Sequence, residues 1–188
     1  MIDRAFIDES IRMSAEGYVY LLAAVCPTPR TGSLLSLRPV LLPGQRYVHW
    51  RDETNIRRTA FIEAVNTMAF DVTVTVMERV PNGGQERARA ACMLALATEF
   101  DRDPGVRWEI EGRREQLDQR DVDTTHNADR DGELSNAPTV NFVSKSASPA
   151  LWVADAADSA AHFAGAGRSG HWWRPLRFSR LVALAVEP

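Results

Sequence analysis

Two adjacent carboxylates, Asp8 and Glu9, follow the strand-forming pair Phe6-Ile7 and precede Ser10. A strand that ends this way carries charge to the rim of a sheet, and a carboxylate buried there needs a cation, an arginine or water. The arrangement recurs at Glu78, behind the β-branched run 70–77, and at Glu111, behind the alternating run 106–110. Late in the chain, Asp155 and Asp158 stand three apart in an alanine-rich stretch. On a helix they share a face, and His162 joins them four residues on. Paired carboxylates there carry a local cost unless something cationic sits opposite. Converging carboxylates are the donor set that hard ions such as Mg²⁺ and Mn²⁺ prefer. Two such ions about 4 Å apart can activate water and stabilise the leaving oxygen of a phosphodiester. The pattern equally allows a plainer arrangement. Asp8-Glu9-Ser10 can be a polar turn after an edge strand, and Asp155 and Asp158 can line a solvent face and pair with arginines.

The elements that must position these groups follow from periodicity. After the opening strand, a turn over 12–17 leads into Tyr18–Val25, a continuous apolar run ended by Cys26-Pro27-Thr28-Pro29. The two runs read as an antiparallel hairpin with a buried second strand. Residues 31–44 read as a loop or short helix, and 45–50 as a third strand. Asp52 is placed to cap a helix over 53–68, with Ile56, Ala60, Phe61, Ala64, Val65 and Met68 at helical spacing. A strand over 70–77, a break at Pro81–Gly84, a helix over 85–99 and a strand over 106–110 come next. The polar segment 112–137 has little to bury and reads as an irregular or partly helical excursion with freedom to move. A short strand at 139–143 precedes Ser148-Pro149, which open a helix from Ala150 to about Phe163. The run 181–186 can form a last strand. Three strands, a helix, a strand, a helix, a strand and a final helix make the element order of a ribonuclease H-like fold. That fold is an α/β three-layer sandwich, with a mixed central sheet flanked by helices. In open α/β sheets, reactive groups gather at the carboxyl ends of strands, where Asp8, Glu78 and Glu111 fall.

Composition bounds the rest. The 188 residues make one domain, 1–188, with 45% hydrophobic and 25% charged residues. A net charge of −3 argues against general affinity for nucleic acid, so any contact with RNA or DNA must be local. Lys145 is the only lysine among 22 basic residues, and the other 21 are arginines. Arginine is the better phosphate fork, but a coding bias explains the excess as well. Cys26 and Cys92 sit in apolar surroundings and read as free buried thiols. No basic leader or run of about 18 apolar residues is present, which implies a cytoplasmic chain without a membrane partner. No nucleotide-binding loop, hydrolase triad or zinc-ligand spacing is found, and His126, His162 and His171 are too irregularly placed to form one.

Several segments, taken in order, carry a likeness. They are Phe6–Ser10, His49–Glu53, Glu86–Arg89, Ile110–Arg113 with Gln116–Asp121, and Leu151–Ala156. This ordered set, spanning residues 5–165, resembles an actinobacterial branch of the bacterial family called domain of unknown function 3800, which is held to be ribonuclease H-like. The resemblance implies a metal-dependent nuclease, with Asp8, Glu111 and Asp155 at the family's acidic positions and as the catalytic metal ligands. Asp158 is the further candidate ligand. Glu9, Glu53, His49 and Glu78 are candidates for supporting positions around the metal. Gly112 departs from the serine the family often carries. Arg51, Arg57, Arg113 and Arg114 are candidates to meet a phosphate backbone, against a solvated arginine surface as the plainer alternative. A catalytically silent ribonuclease H-like module that binds nucleic acid or a partner protein is the alternative reading, favoured by the acidic pI of about 5.8. A homo-oligomer built on Trp172-Trp173 is the third.

Overall fold

The computed structural model describes residues 2–165 and 180–184. Its centre is an antiparallel hairpin of β1 (Arg4–Ser14) and β2 (Gly17–Pro27), paired from Phe6↔Val25 to Ser14↔Gly17. Gly17 closes the turn at φ +124°, and a Cβ there would lie 2.9 Å from the Val80 carbonyl oxygen. No residue with a side chain fits that position. The β-branched run predicted for 70–77 forms β3 (Phe70–Val80), antiparallel to β2. Beyond it lies β6 (Arg180–Leu184), parallel to β3. On the other side of the hairpin, β4 (Arg107–Glu111) runs parallel to β1, and β5 (Thr139–Val143) runs parallel to β4. The sheet is therefore mixed, with strand order β5-β4-β1-β2-β3-β6.

Strand periodicity divides the core into two layers. Leu21, Ala23 and Val25 of β2 face one side, with Val72 and Val74 of β3. There they meet Phe61, Ile62 and Val65 of α1 (Asn55–Asn66) and the alanine-rich α4 (Pro149–Gly165). Tyr20, Leu22, Ala24 and Cys26 face the opposite side. They pack with Ala5 and Ile7 of β1 against Cys92, Met93 and Leu96 of α2 (Gln85–Phe100) and Ala128 of α3 (Glu115–Arg130). The result is an α/β sandwich with helices on both faces of the sheet.

Three expectations change. Residues 45–50 form no strand, because the place beside β2 belongs to β3; Val48 and Trp50 are buried instead under α1 and α4. Asp52 does not cap α1. The cap is Thr54, whose side chain accepts from the Arg57 amide, and Asp52 lies in a short 3₁₀ turn before it. Ile56 points outward, 84% exposed, and Ile62 takes the inward place. Of the two forms open to the polar segment 112–137, the helical one dominates as α3, whose buried face is Asp121, Thr125 and Ala128. Cys26 and Cys92 are free and buried. No helix among the described residues is long and apolar enough to cross a membrane. His171 and the Trp172-Trp173 pair lie outside the described residues, as does the side chain of His162.

Candidate metal centre

Period-two geometry sends Asp8 and Glu9 to opposite layers. Asp8 follows Phe6 toward α4, while Glu9 follows Ile7 toward α2 and α3. α4 is buried from Leu151 to Ala161, so Asp155 and Asp158, spaced to share a face, lie inside the protein rather than at its solvent side. Asp8, Asp155 and Asp158 each offer a carboxylate oxygen, and these atoms lie within 4.8 Å of one another. Asp155 Oδ2 accepts from the Trp50 amide at 2.9 Å, which ties the segment before α1 to α4.

The lone lysine completes the cluster. Lys145 Nζ lies 2.6 Å from Asp8 Oδ2 and 3.2 Å from both Asp155 Oδ2 and Glu111 Oε2. It sits in the turn between β5 and α4, and its carbonyl accepts from Trp152 Nε1 at 2.7 Å, so the first turns of α4 fix the backbone that carries it. Glu111, the last residue of β4, stands at the rim with its side chain 40% exposed. Thus Asp8, Glu111 and Asp155 do converge, and the group nearest to all three is an ammonium.

Four carboxyl groups around one ammonium leave an excess of negative charge. Burial, and then the neighbouring Asp155, push Asp8 up to about 7; Lys145 opposes that rise without cancelling it. Asp158 is fully buried, and neither of its oxygens has a hydrogen-bond partner among the described residues. Burial and then the charges of Asp8 and Asp155 raise it well above the usual carboxylate range, with Ser159 and Lys145 acting weakly against them. Burial alone would lower the Lys145 ammonium, but Asp8, Asp155 and Glu111 outweigh it and hold it above its ordinary value. A buried carboxyl group with no partner stays neutral or takes a cation, and this donor set consists entirely of hard oxygen. The triad Asp8, Asp155 and Asp158 could hold a metal ion.

No family model, no curated protein and no solved structure matches this chain.

The cluster forms one wall of a cleft of about 270 Å³ beside the middle of β1 and the carboxyl end of β4, lined also by Ser10, Arg12, His49, Arg51 and Gly112. β1 runs on to Ser14, so Asp8 stands within the strand rather than at its end as expected. His49 borders it, with Nδ1 3.3 Å from Asp52 Oδ2. Glu9 reaches the same cleft from the other layer, where its carboxylate meets Arg89 Nη1 at 2.5 Å and accepts from the Tyr20 hydroxyl. Burial would raise Glu9, but Arg89, Tyr20 and Arg113 bring it below the usual range. Arg89 in turn grips Asp121 of α3 through Nε at 2.9 Å and Nη2 at 2.7 Å. Arg113 bridges Glu86 at 2.8 Å and Asp121 at 3.0 Å. This second network sets two guanidiniums among three carboxylates and is buried at Arg89 and Asp121.

Two of the supporting candidates lie elsewhere. Glu53 is turned to Gln45 and Arg57, at 2.6 and 2.9 Å. Glu78 is exposed on β3, two strands from β1. Of the arginines, Arg51 lines the cleft and Arg113 lines it while ion-paired. Arg57 is held by Glu53, and Arg114 is exposed at the start of α3. A Cβ at Gly112 would meet Phe142 Cβ at 3.5 Å and Asp118 Oδ2 at 3.7 Å, ordinary contacts, so the site has room for a small side chain there. Sequence reasoning missed Lys145, although its being the sole lysine was a visible signal.

Proposed function

We propose that the chain is a Mg²⁺- or Mn²⁺-dependent nuclease, hydrolysing phosphodiesters of RNA or DNA on a ribonuclease H-like scaffold. The observation that carries this reading is Asp158, a buried carboxyl group whose two oxygens lack a hydrogen-bond partner within normal distance among the described residues, set beside two further carboxylates behind a cleft. Lys145 is already committed to Asp8, Glu111 and Asp155, so among the described residues Asp158 has no cation of its own. Asp8, Asp155 and Asp158 would hold the ion, with Glu111 at the open rim. When bound, such an ion supplies positive charge at a phosphoryl oxygen and acidifies a water molecule.

The remaining roles fall to the chain itself. The Trp50 amide holds the Asp155 carboxylate in one orientation, and the close packing of α4 holds Asp158. Glu111, half in solvent, is placed to take up a proton at its carboxylate and pass it to bulk water. The element succession supports the scaffold: three antiparallel strands, then parallel strands added through helices on both faces. The intervention of α1 between the second and third strands departs from the expected order. The ordered motifs support a place in the family of unknown function named above.

The test is incubation of purified protein with single- and double-stranded RNA and DNA in Mn²⁺. Cleavage absent from an Asp8→Asn control supports the reading, and no cleavage beyond that control sinks it. A second reading, a silent module that binds nucleic acid or a partner protein, draws on the Lys145 ammonium at the centre of the carboxylates. A silent module gains no thermal stability from Mn²⁺, because only a ligand of the native state raises its melting point.

A further inference from the structure

The cleft is lined by groups of both charges. Asp8, Ser10 and Arg12 alternate along β1 and so face the same layer, spanning about 13 Å from Asp8 to Arg12 at strand rise. One side is the carboxylate cluster. Arg12 and Arg51 line the cleft as well. Arg12 has no carboxylate partner among the described residues, and its Nε is buried without a hydrogen bond. Arg51 has only a 4.0 Å approach to the exposed Asp52, a contact of little energetic weight. Burial and the nearby charge of Arg12 both hold Arg58 below the usual arginine value, so positive charge is crowded here. A guanidinium with an unfilled donor, beside others of its kind and facing a cleft, is a fork for an oxyanion.

Resting on the nuclease reading, we infer that Arg12, with Arg51, forms a phosphate subsite that holds a single nucleic-acid strand while a neighbouring phosphodiester reaches the carboxylate cluster. At about 270 Å³ the cleft lies just below the usual range of ligand pockets, which leaves room for a small part of one strand and not for a duplex. Arg12 is then a positioning residue, and its contact is to the strand's charge rather than to base identity.

The test is fluorescence anisotropy with short 3′-labelled oligouridylate and oligothymidylate, with and without a 5′-phosphate, and a duplex of the same length. Titrations run in CaCl₂ across a salt series. Arg12→Gln should weaken single-strand binding about tenfold and flatten the salt dependence by roughly 0.7 in log–log slope. Arg12→Lys should keep the slope while losing part of the affinity, and Arg51→Gln, on an exposed turn, should weaken binding without affecting folding. A loss confined to 5′-phosphorylated strands assigns a terminal phosphate, and an equal loss assigns an internal one. Wild-type binding by R12Q, no strand binding by the wild type, or a preference for duplex overturns the subsite. Arg12-dependent binding without Mn²⁺-dependent cleavage overturns the nuclease and keeps the subsite. Cleavage by R12Q at wild-type kcat/KM does the reverse.

Discussion

Replacing Asp8 by asparagine should stabilise the metal-free protein above neutrality, although it removes a partner 2.6 Å from a buried ammonium. Asp8 titrates at about 7 in the folded chain against 3.8 ordinarily. The native state therefore keeps a proton that the unfolded state releases, and stability falls as pH rises from about 4 through about 7. The full shift corresponds to a ceiling of roughly 4 kcal/mol, of which about 3 kcal/mol is lost between about pH 5 and pH 8. The asparagine side chain is uncharged throughout and escapes that loss. Asp158 loses one of its two repelling neighbours in the variant, which acts in the same direction. Urea denaturation of EDTA-treated wild type and D8N at several pH values gives the difference directly. It should move by about 3 kcal/mol in favour of D8N between about pH 5 and pH 8. In Mn²⁺ most of that difference should close, since the wild type alone gains about 2.7 kcal/mol at a hundredfold excess over Kd. A difference independent of pH, or one that moves toward the wild type, refutes the electrostatic reasoning.

Four further outcomes follow from the same structure. Lys145→Met strips the cation from three carboxylates and should cost about 3–5 kcal/mol in metal-free buffer near pH 8, with a larger Mn²⁺-induced rise in Tm than the wild type shows. Asp121→Asn leaves Arg89 buried and underpaired and should destabilise by about 3–5 kcal/mol, while the Mn²⁺-induced rise in Tm stays as in the wild type, because that network lies in the other layer. Asp155→Ala frees the Trp50 amide, so hydrogen exchange at Trp50 should accelerate far more than in β2. Burial raises Cys26 to about 12 and Cys92 to about 11, so neither thiol should react with a disulfide reagent at neutral pH until the protein is unfolded, when both should.

The strands with clean alternation or continuous apolar runs, β1 to β5, were legible because one residue pattern serves one burial pattern. Residues 45–50 misled for the same reason: Val48 and Trp50 are buried at alternate positions, but on a chain segment lying over α4 rather than hydrogen-bonded in the sheet. α3 was illegible to apolar periodicity, since its inward face is built on Asp121 and Thr125, and the partner that makes Asp121 an inward residue is Arg89, 32 positions away. In the site, Glu111 could be read from a strand end and Asp155 and Asp158 from helix spacing, whereas Asp8, expected at a strand end, lies within β1, which continues to Ser14. Glu9 stood next to Asp8 in the chain, and strand geometry alone separates the two by a whole layer. Lys145 could not be placed, because nothing around Ser144–Ala147 marks a buried position; what fixes it there are Asp8, Glu111 and Asp155 on its ammonium and the Trp152 indole, seven residues on, on its carbonyl.

The split between Asp8 and Glu9 also guards β1 against misalignment. Slipping the strand by one position would either set Ile7 against the Lys145 ammonium or turn Asp8 into the place that Ile7 holds in the oily packing of α2. Hydrophobic pattern alone discriminates weakly between alignments at a strand's polar end. Here, charge of fixed sign on either side acts like teeth cut on both edges of a key, so the hairpin can seat in only one way.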